Sequence, residues 1–180
     1  MDSYLSIPII NEFITRVSVD DQSNYENNVK AMLSGVLSHE FPLSMGYVLV
    51  PGQNRNASYP GFTGYHKPWK IQRHVPGDRE FVDHLLVEVM GPDELLADTT
   101  DQLLTALESA NTQHGRCWAI IAIGPTIEFY EYHGSLPVNH QLIPWYPPGR
   151  STNNFNISIE SVVLQSIFDH MRRNNEPAAR

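Results

Sequence analysis

FVDHLLVEVM, residues 81–90, is the stretch that decides the fold. Its run of aliphatic residues predicts a strand, and the Gly-Pro-Asp that follows predicts the turn that ends it. One carboxylate, Glu88, sits between two valines of this strand. A buried carboxylate is costly unless a cation pairs with it or it coordinates a metal ion. Glu88 is therefore the first candidate functional residue.

The neighbouring segments predict the rest of a sheet. WKIQRHV (69–75) alternates, and the PGDRE turn leads from it into residues 81–90, which predicts a β-hairpin. MGYVLVP (45–51) predicts a short strand before that hairpin. RCWAIIAIG (116–124) is a continuous apolar run, typical of a strand that is buried on both faces. TIEFYEYHG (126–134) follows a Gly-Pro turn and is expected to pair back on it, with its aromatic residues covering the sheet.

Three segments carry apolar residues at helical spacing. The first spans about residues 25–40, and Glu40 continues its apolar face. The second spans about residues 93–111. The third spans about residues 157–173 and has Asn156 as its predicted cap. The residues expected to face inward on the third helix are Ile159, Val162, Val163, Ile167 and Met171.

This order of elements predicts an α/β domain with a mixed five-stranded sheet between layers of helices, in the order α-β-β-β-α-β-β-α. The central strand–helix–strand step implies that residues 81–90 and 116–123 are parallel neighbours joined by a right-handed crossover. A chain of 180 residues is long enough for one buried core, so residues 1–180 are expected to form a single domain with its core over about 25–135. Loops as long as the one over residues 53–68 are functional or mobile in many proteins. A frayed tail is expected over residues 174–180.

Composition narrows the function classes. Twelve Lys and Arg against 20 Asp and Glu give a net charge of −8, which argues against general nucleic-acid binding. The single Cys117 excludes an internal disulfide, and the N-terminal sequence lacks the pattern of a secretory signal. No segment approaches the roughly 18 apolar residues of a membrane span. An intracellular protein, cytoplasmic or nuclear, is therefore expected.

The order of elements over residues 25–135, with an acid on the third strand, resembles the PD-(D/E)XK nuclease superfamily. The resemblance implies a restriction-endonuclease-like fold. In that family an Asp on one hairpin strand and the Glu of an E-x-K tripeptide on the next bind a divalent cation, and the Lys activates the attacking water. Hard carboxylate oxygens suit Mg²⁺ or Mn²⁺.

Two positions of the family site are altered in this chain. Glu88-Val89-Met90 occupies the E-x-K position, so that Met90 stands where the family has lysine. Trp69 stands where the family has the metal-binding aspartate, while Glu40 matches an acid that many members carry on the first helix. Thioether and indole groups cannot replace an ammonium and a carboxylate in this chemistry. The chain is identified as a degenerate member, with no cofactor expected and Mg²⁺ or Mn²⁺ implied only if a rearranged site is active.

Other residues are candidates for the surroundings of Glu88. His84 is expected on the same strand face, about 13 Å away, and Asp83 on the opposite face. Arg73 is a candidate partner for the Glu88 carboxylate, Gln102 weakly matches a glutamine of some family members, and Lys67 and Lys70 are the only candidates for a migrated lysine. The histidines lack the spacing of a zinc site, and those at 114, 133 and 140 are expected in solvated turns.

If the family geometry holds, Glu88, Met90, Trp69 and Glu40 converge on one cavity with mostly apolar walls. Three hypotheses follow. The first is a pseudonuclease, a non-catalytic binding or assembly module; the second is an enzyme on a small organic molecule with Glu88 or Glu40 as general acid or base. The third is a metal-dependent nuclease with a rearranged site. A protein partner or a small-molecule ligand is favoured over nucleic acid, no membrane is expected, and a homo-oligomer is compatible with the sequence.

Overall fold

The structure is a computed structural model that describes residues 3–19, 25–52, 68–75, 77 and 80–180. The predicted 53–68 loop, apart from its last residue, and Lys67 lie outside these residues. The helices are α1 (Pro8–Val19), α2 (Tyr25–Glu40), α3 (Leu96–Glu108) and α4 (Ser161–Arg173). The strands are β1 (Tyr47–Val50), β2 (Trp69–His74), β3 (Phe81–Val89), β4 (Arg116–Ile123), β5 (Thr126–His133), β6 (Leu142–Pro144) and β7 (Asn154–Asn156).

The fold is α/β and is built on one mixed sheet with the strand order β1-β2-β3-β4-β5-β6. The strands β3 and β4 are parallel neighbours, which confirms the central prediction from the sequence. All other pairings are antiparallel, including the β2–β3 and β4–β5 hairpins. The chain passes between the two parallel strands through α3.

The prediction of five strands is wrong, because the sheet has seven. Both additional strands pair with β5: Tyr130–Tyr132 with β6, and Thr126–Glu128 with β7. Each of these strands has only three residues, too few for an alternation to be recognised, and β6 includes a proline. A helix that was not predicted, α1, precedes the others and buries Ile10, Ile14 and Val17.

The sheet has a hydrophobic cluster on each face. Helices α2 and α4 pack on the first face, named here the α2 face, against Leu85, Val87 and other strand residues, and α1 packs on α2 within the same hydrophobic cluster. Helix α3 packs on the second, named here the α3 face, where Leu103 and Leu107 contact Leu86 and its neighbours. Since β3 is buried over Val82–Val89, it is a central strand covered from both sides.

A β-bulge interrupts β3. Ile71 of β2 pairs with Leu85, and the next residue, Gln72, pairs with Asp83, so His84 is skipped. His84 and Leu85 therefore both face the α2 side, where the imidazole contacts the rings of Phe41 and Tyr47. One extra residue in a strand reverses the alternation beyond it. Every position after the bulge lies on the face opposite to the one that a regular strand would give it.

The C-terminal helix begins later than predicted. Asn156 accepts hydrogen bonds from the backbone N–H groups of Ser158 and Ile159, so it caps a turn over residues 157–160 and α4 starts at Ser161. As a result the prediction is wrong for Ile159 and Val162, which are exposed. The buried residues of α4 are Leu164, Ile167, Phe168 and Met171.

The prediction of a frayed tail is also wrong, because residues 174–180 are held against the sheet by hydrogen bonds. The Trp118 indole donates to the carbonyl of Asn174 at 2.9 Å, and Arg180 Nε donates to Glu131 at 2.9 Å. Pro177 is buried. No helix in the described part of the chain is long and apolar enough to cross a bilayer.

Candidate functional site

Glu88 is buried on the α3 face of the sheet, with 2% of its surface exposed. It pairs in register with Ile121 of β4, and both lie on the same face as Leu86. Glu88 Oε1 accepts a hydrogen bond from the N–H of Val89 at 3.2 Å. This carboxylate is therefore enclosed between the sheet and α3.

The structure does not bring the four predicted site residues together. Met90 packs with the cluster of the α3 face, on the same side as Glu88. Trp69 packs against the cluster of the α2 face, because it pairs with Val87 and shares that residue's side of the sheet. Glu40 belongs to α2 and is on that side too. The predicted convergence is wrong, and the bulge in β3 is the physical reason.

Glu40 forms a buried ion pair that the sequence did not predict. Arg172 of α4 donates from Nη1 to Glu40 Oε2 at 2.7 Å and to the backbone carbonyl of the same residue. The two side chains are 7% and 2% exposed. Arg172 also contacts Asp169. Burial alone would lower the pKa of the Arg172 guanidinium, but its hydrogen bonds to Asp169 and Glu40 outweigh burial and raise that pKa.

Asp83 lies on the same face as Glu88, not on the opposite face as predicted, because the bulge falls between them. Its carboxylate accepts hydrogen bonds from Lys70 Nζ at 2.6 Å, Gln72 Nε2 at 2.8 Å and the N–H of Asn111 at 3.0 Å. The candidate migrated lysine, Lys70, is thus engaged by Asp83. These contacts form a partly buried polar network that joins β2, β3 and the segment after α3.

His84 lies on the opposite face from Glu88, and the prediction of a shared face is wrong. Its Nδ1 is 2.9 Å from the carbonyl oxygen of Asn175. Because a carbonyl only accepts, Nδ1 carries the proton and Nε2 is bare; Nε2 is buried and has no hydrogen-bond partner among the described residues. Burial is the main cause that lowers the pKa of His84 to about 4, and the nearby Arg73 lowers it further.

The remaining candidates lie away from Glu88. Arg73 pairs with Val82 at the other end of β3 and donates to Gln113 at 3.1 Å. Gln102 is exposed on α3. The prediction of a solvated His133 is wrong, because it is buried at the end of β5 with Nε2 3.2 Å from Glu131 Oε2.

Two of the cavities lined by described residues border the α2 side of the molecule. One, of about 360 Å³, is lined by Glu40, Met45, Gln165, Asp169, Arg172 and Arg173. The other, of about 490 Å³, is named here the β1 groove; it lies between the C-terminal end of α2 and β1. Its apolar lining residues are Phe41, Pro42, Leu43, Tyr47, Val48, Leu49, Pro51 and Trp69. Glu88 lines neither cavity, whereas Glu40 and Trp69 each line one.

The chemistry of the described residues is one of paired charges. No group of three or more His, Cys, Asp or Glu side chains within them is arranged to hold a metal ion. The partners that sequence reasoning missed are Arg172 for Glu40 and Asp83 for Lys70. The only signal for Arg172 was the Arg172-Arg173 pair near the end of the chain, and nothing in it indicated which of the two is buried.

Comparison with protein-family models, with curated proteins and with solved structures gives no match to this chain.

Proposed function

We propose that this chain is a pseudonuclease, a domain of PD-(D/E)XK-like three-layer fold that binds a protein partner and does not cleave nucleic acid. The observation that carries the proposal is that the four residues matched to the family site by sequence are divided between the two faces of the sheet. Glu88 and Met90 face α3, while Trp69 and Glu40 face the other way. A divalent cation needs its carboxylate ligands within about 2–2.6 Å of one point. Carboxylates on opposite faces of a sheet do not meet that requirement.

The β1 groove is the surface that suits a partner. None of the described residues that line it is charged, and Leu43 at its rim is 76% exposed. Strand β1 stands at the end of the strand order, so no described strand pairs with its outer side. An extended segment that adds to an edge strand gains main-chain hydrogen bonds, and adjacent pockets select its side chains. The partner is therefore a protein that offers an extended, apolar, uncharged segment.

One observation favours a second function, that of an enzyme on a small molecule. Glu40 lines the 360 Å³ cavity together with Gln165 and Arg173, which are polar groups suited to an organic ligand. In this version Glu40, rather than Glu88, is the general acid or base. It ranks second because Arg172 already engages Glu40 Oε2.

The purified chain is expected to cleave neither single-stranded nor duplex DNA or RNA in Mg²⁺ or Mn²⁺. Titration calorimetry with either metal should likewise give no micromolar site. The reason is that no group of three or more His, Cys, Asp or Glu side chains among the described residues is arranged to hold a metal ion. Metal-dependent cleavage that Glu88→Gln abolishes would instead establish the rearranged nuclease.

Peptides selected on the immobilised chain from a displayed random library are expected to be apolar and to bind the β1 groove. Leu43→Asp should weaken the binding of these peptides roughly tenfold or more, about 1.4 kcal/mol, because it places a charge at an apolar rim. Val138→Asp is the matched control, since Val138 is also exposed, at 60%, but precedes β6 at the other end of the sheet. Equal losses with both variants, or selected peptides that bind Leu43→Asp as tightly as the parent chain, would refute the β1 groove as the binding surface.

A further inference from the structure

The segment that follows α4 lies across the sheet like a bound peptide. Residues 174–180, named here the tail, contact side chains of three adjacent strands on the α2 face: His84 of β3, Arg116 and Trp118 of β4, and Glu131 of β5. Trp118, His84 and Glu131 are at most 5% exposed. A central sheet face rarely carries such polar side chains unless something satisfies them. Here the tail does so.

The tail is held first by its main chain. The Trp118 indole donates to the carbonyl of Asn174 at 2.9 Å, and His84 Nδ1 donates to the carbonyl of Asn175 at the same distance. These bonds fix the path of the chain without selecting its side chains. Because two ring N–H groups on neighbouring strands point at successive carbonyls, the sheet presents a donor pair suited to any extended segment.

Selectivity comes from three side chains of the tail. The Glu176 carboxylate contacts Arg116 and lies 2.9 Å from Nδ1 of His114. Pro177, the next residue, is buried. Four residues after Glu176, the Arg180 guanidinium donates to Glu131 Oε2 from Nε at 2.9 Å and from Nη2 at 2.7 Å. The surface thus recognises an acid, a proline beside it and a basic residue further along.

Two of the side chains that hold the tail in place, Arg180 and His114, lie at the surface, which favours exchange. The Arg180 side chain is 50% exposed and that of His114 is 59% exposed, so solvent competes for these ion pairs. Solvent weakens the attraction at the exposed members of these pairs, while Glu131, at 7%, and Arg116 and Glu176, at 19% each, are mostly withdrawn from water. The groups beneath the tail are buried and belong to the rigid sheet, so they remain in place when the tail leaves.

We propose that the surface formed by His84, Arg116, Trp118 and Glu131 is a peptide-binding site, occupied in cis by the tail, whose partner in trans is a protein segment with the pattern Glu-Pro-x-x-Arg. This site lies on the opposite face of the sheet from Glu88, and it does not depend on the function proposed above. The tail regulates it, because an attached segment competes at an effective concentration of about millimolar.

The test uses a fluorescent peptide of sequence NNEPAAR, identical to residues 174–180, and the chain with and without residues 175–180. The truncated chain is expected to bind this peptide at least roughly tenfold more tightly than the full chain, since the cis competitor is removed. A peptide with alanine at the positions of Glu176 and Arg180 is expected to bind roughly tenfold more weakly than NNEPAAR. A truncated chain that is folded by circular dichroism and binds neither peptide would overturn the proposal.

A second variant tests the proposal in the case that the truncated chain does not fold. Arg180→Ala in the full chain removes only the ion pair with Glu131 and leaves the main-chain bonds of Asn174 and Asn175 in place. It is expected to bind NNEPAAR more tightly than the parent chain, and hydrogen exchange should be faster in residues 175–180. Exchange that stays as slow as in the parent chain, together with no gain in peptide binding, would show a fixed structural strap and overturn the proposal. Arg173→Ala, on α4 and 80% exposed, is the control for loss of a cation.

Discussion

Replacing Arg172 with methionine is expected to lower the free energy of unfolding by about 3–5 kcal/mol, the usual cost of removing one partner of a buried ion pair. Arg172 and Glu40 are 7% and 2% exposed, so water replaces only a small part of the interaction with the guanidinium. The Glu40 carboxylate would be left without its cation, and its backbone carbonyl would lose a donor as well. Urea denaturation followed by tryptophan fluorescence measures the change.

Two further variants separate the ion pair from the packing of the side chain. Arg173→Met changes the neighbouring arginine, which is 80% exposed, and should alter stability by less than about 0.5 kcal/mol. The double change Glu40→Leu with Arg172→Met removes both charges and should recover most of the loss, since a hydrophobic pair often replaces a buried ion pair at little cost. If the Arg172 and Arg173 variants are equally stable, the buried pair does not support the α2–α4 contact.

Acidification from pH 6.5 to pH 4 is expected to destabilise the fold through His84, by an amount of the order of 3 kcal/mol. The pKa of His84 is about 4 in the folded chain and near 6.5 in the unfolded chain, so the unfolded state binds the proton more readily. The stability that His84 contributes is therefore complete above pH 6.5 and is lost as the pH falls through the folded pKa. Protonation would place a charge on the buried imidazole beside the rings of Phe41 and Tyr47.

The contribution of His84 is isolated by comparing the parent chain with His84→Gln. Carboxylates and the other histidines contribute equally to both proteins, so the difference in their stability-versus-pH curves belongs to this side chain. The curve of His84→Gln should be flatter between pH 6.5 and pH 4, although the variant is less stable at pH 7. Parallel curves, or an NMR titration of the His84 ring with a midpoint near 6.5 in the folded chain, would contradict the expectation.

The fold was predictable where elements are long and buried. The parallel β3–β4 pair follows from two apolar runs separated by a helical segment, and α2 from the spacing of Val29, Leu33 and Val36. Short elements were not predictable: β6 and β7 have three residues each, and they form because β5 has an edge to pair with. Pairing along a sheet edge is tertiary information that a local pattern does not carry.

The candidate site was less predictable than the fold. Glu88 and Glu40 were identified as candidate acids of the site, and both are 2% exposed. Which face each one occupies depends on the bulge at His84, and β3 gives no local sign of a bulge because it is buried on both faces over Val82–Val89. The tail was misjudged for a related reason. Its polar composition is typical of a frayed terminus, while its partners lie 49 to 91 residues away in the sequence.

The bulge at His84 also governs how this chain is to be aligned with others. If a regular strand is aligned with β3 without a gap, the aligned side chains point to the same side of the sheet up to His84. From Leu85 onward they point to opposite sides. Opening a one-residue gap at the bulge restores the correspondence, and Leu86, Glu88 and Met90 then align with residues that face the same side as Asp83. In an ungapped alignment, the E-x-K tripeptide of a nuclease would be aligned with Glu88-Val89-Met90. The Glu and Lys side chains of the nuclease would nevertheless point to the opposite side of the sheet from Glu88 and Met90. Structural superposition, with that gap allowed, is the comparison by which a distant relative should be judged.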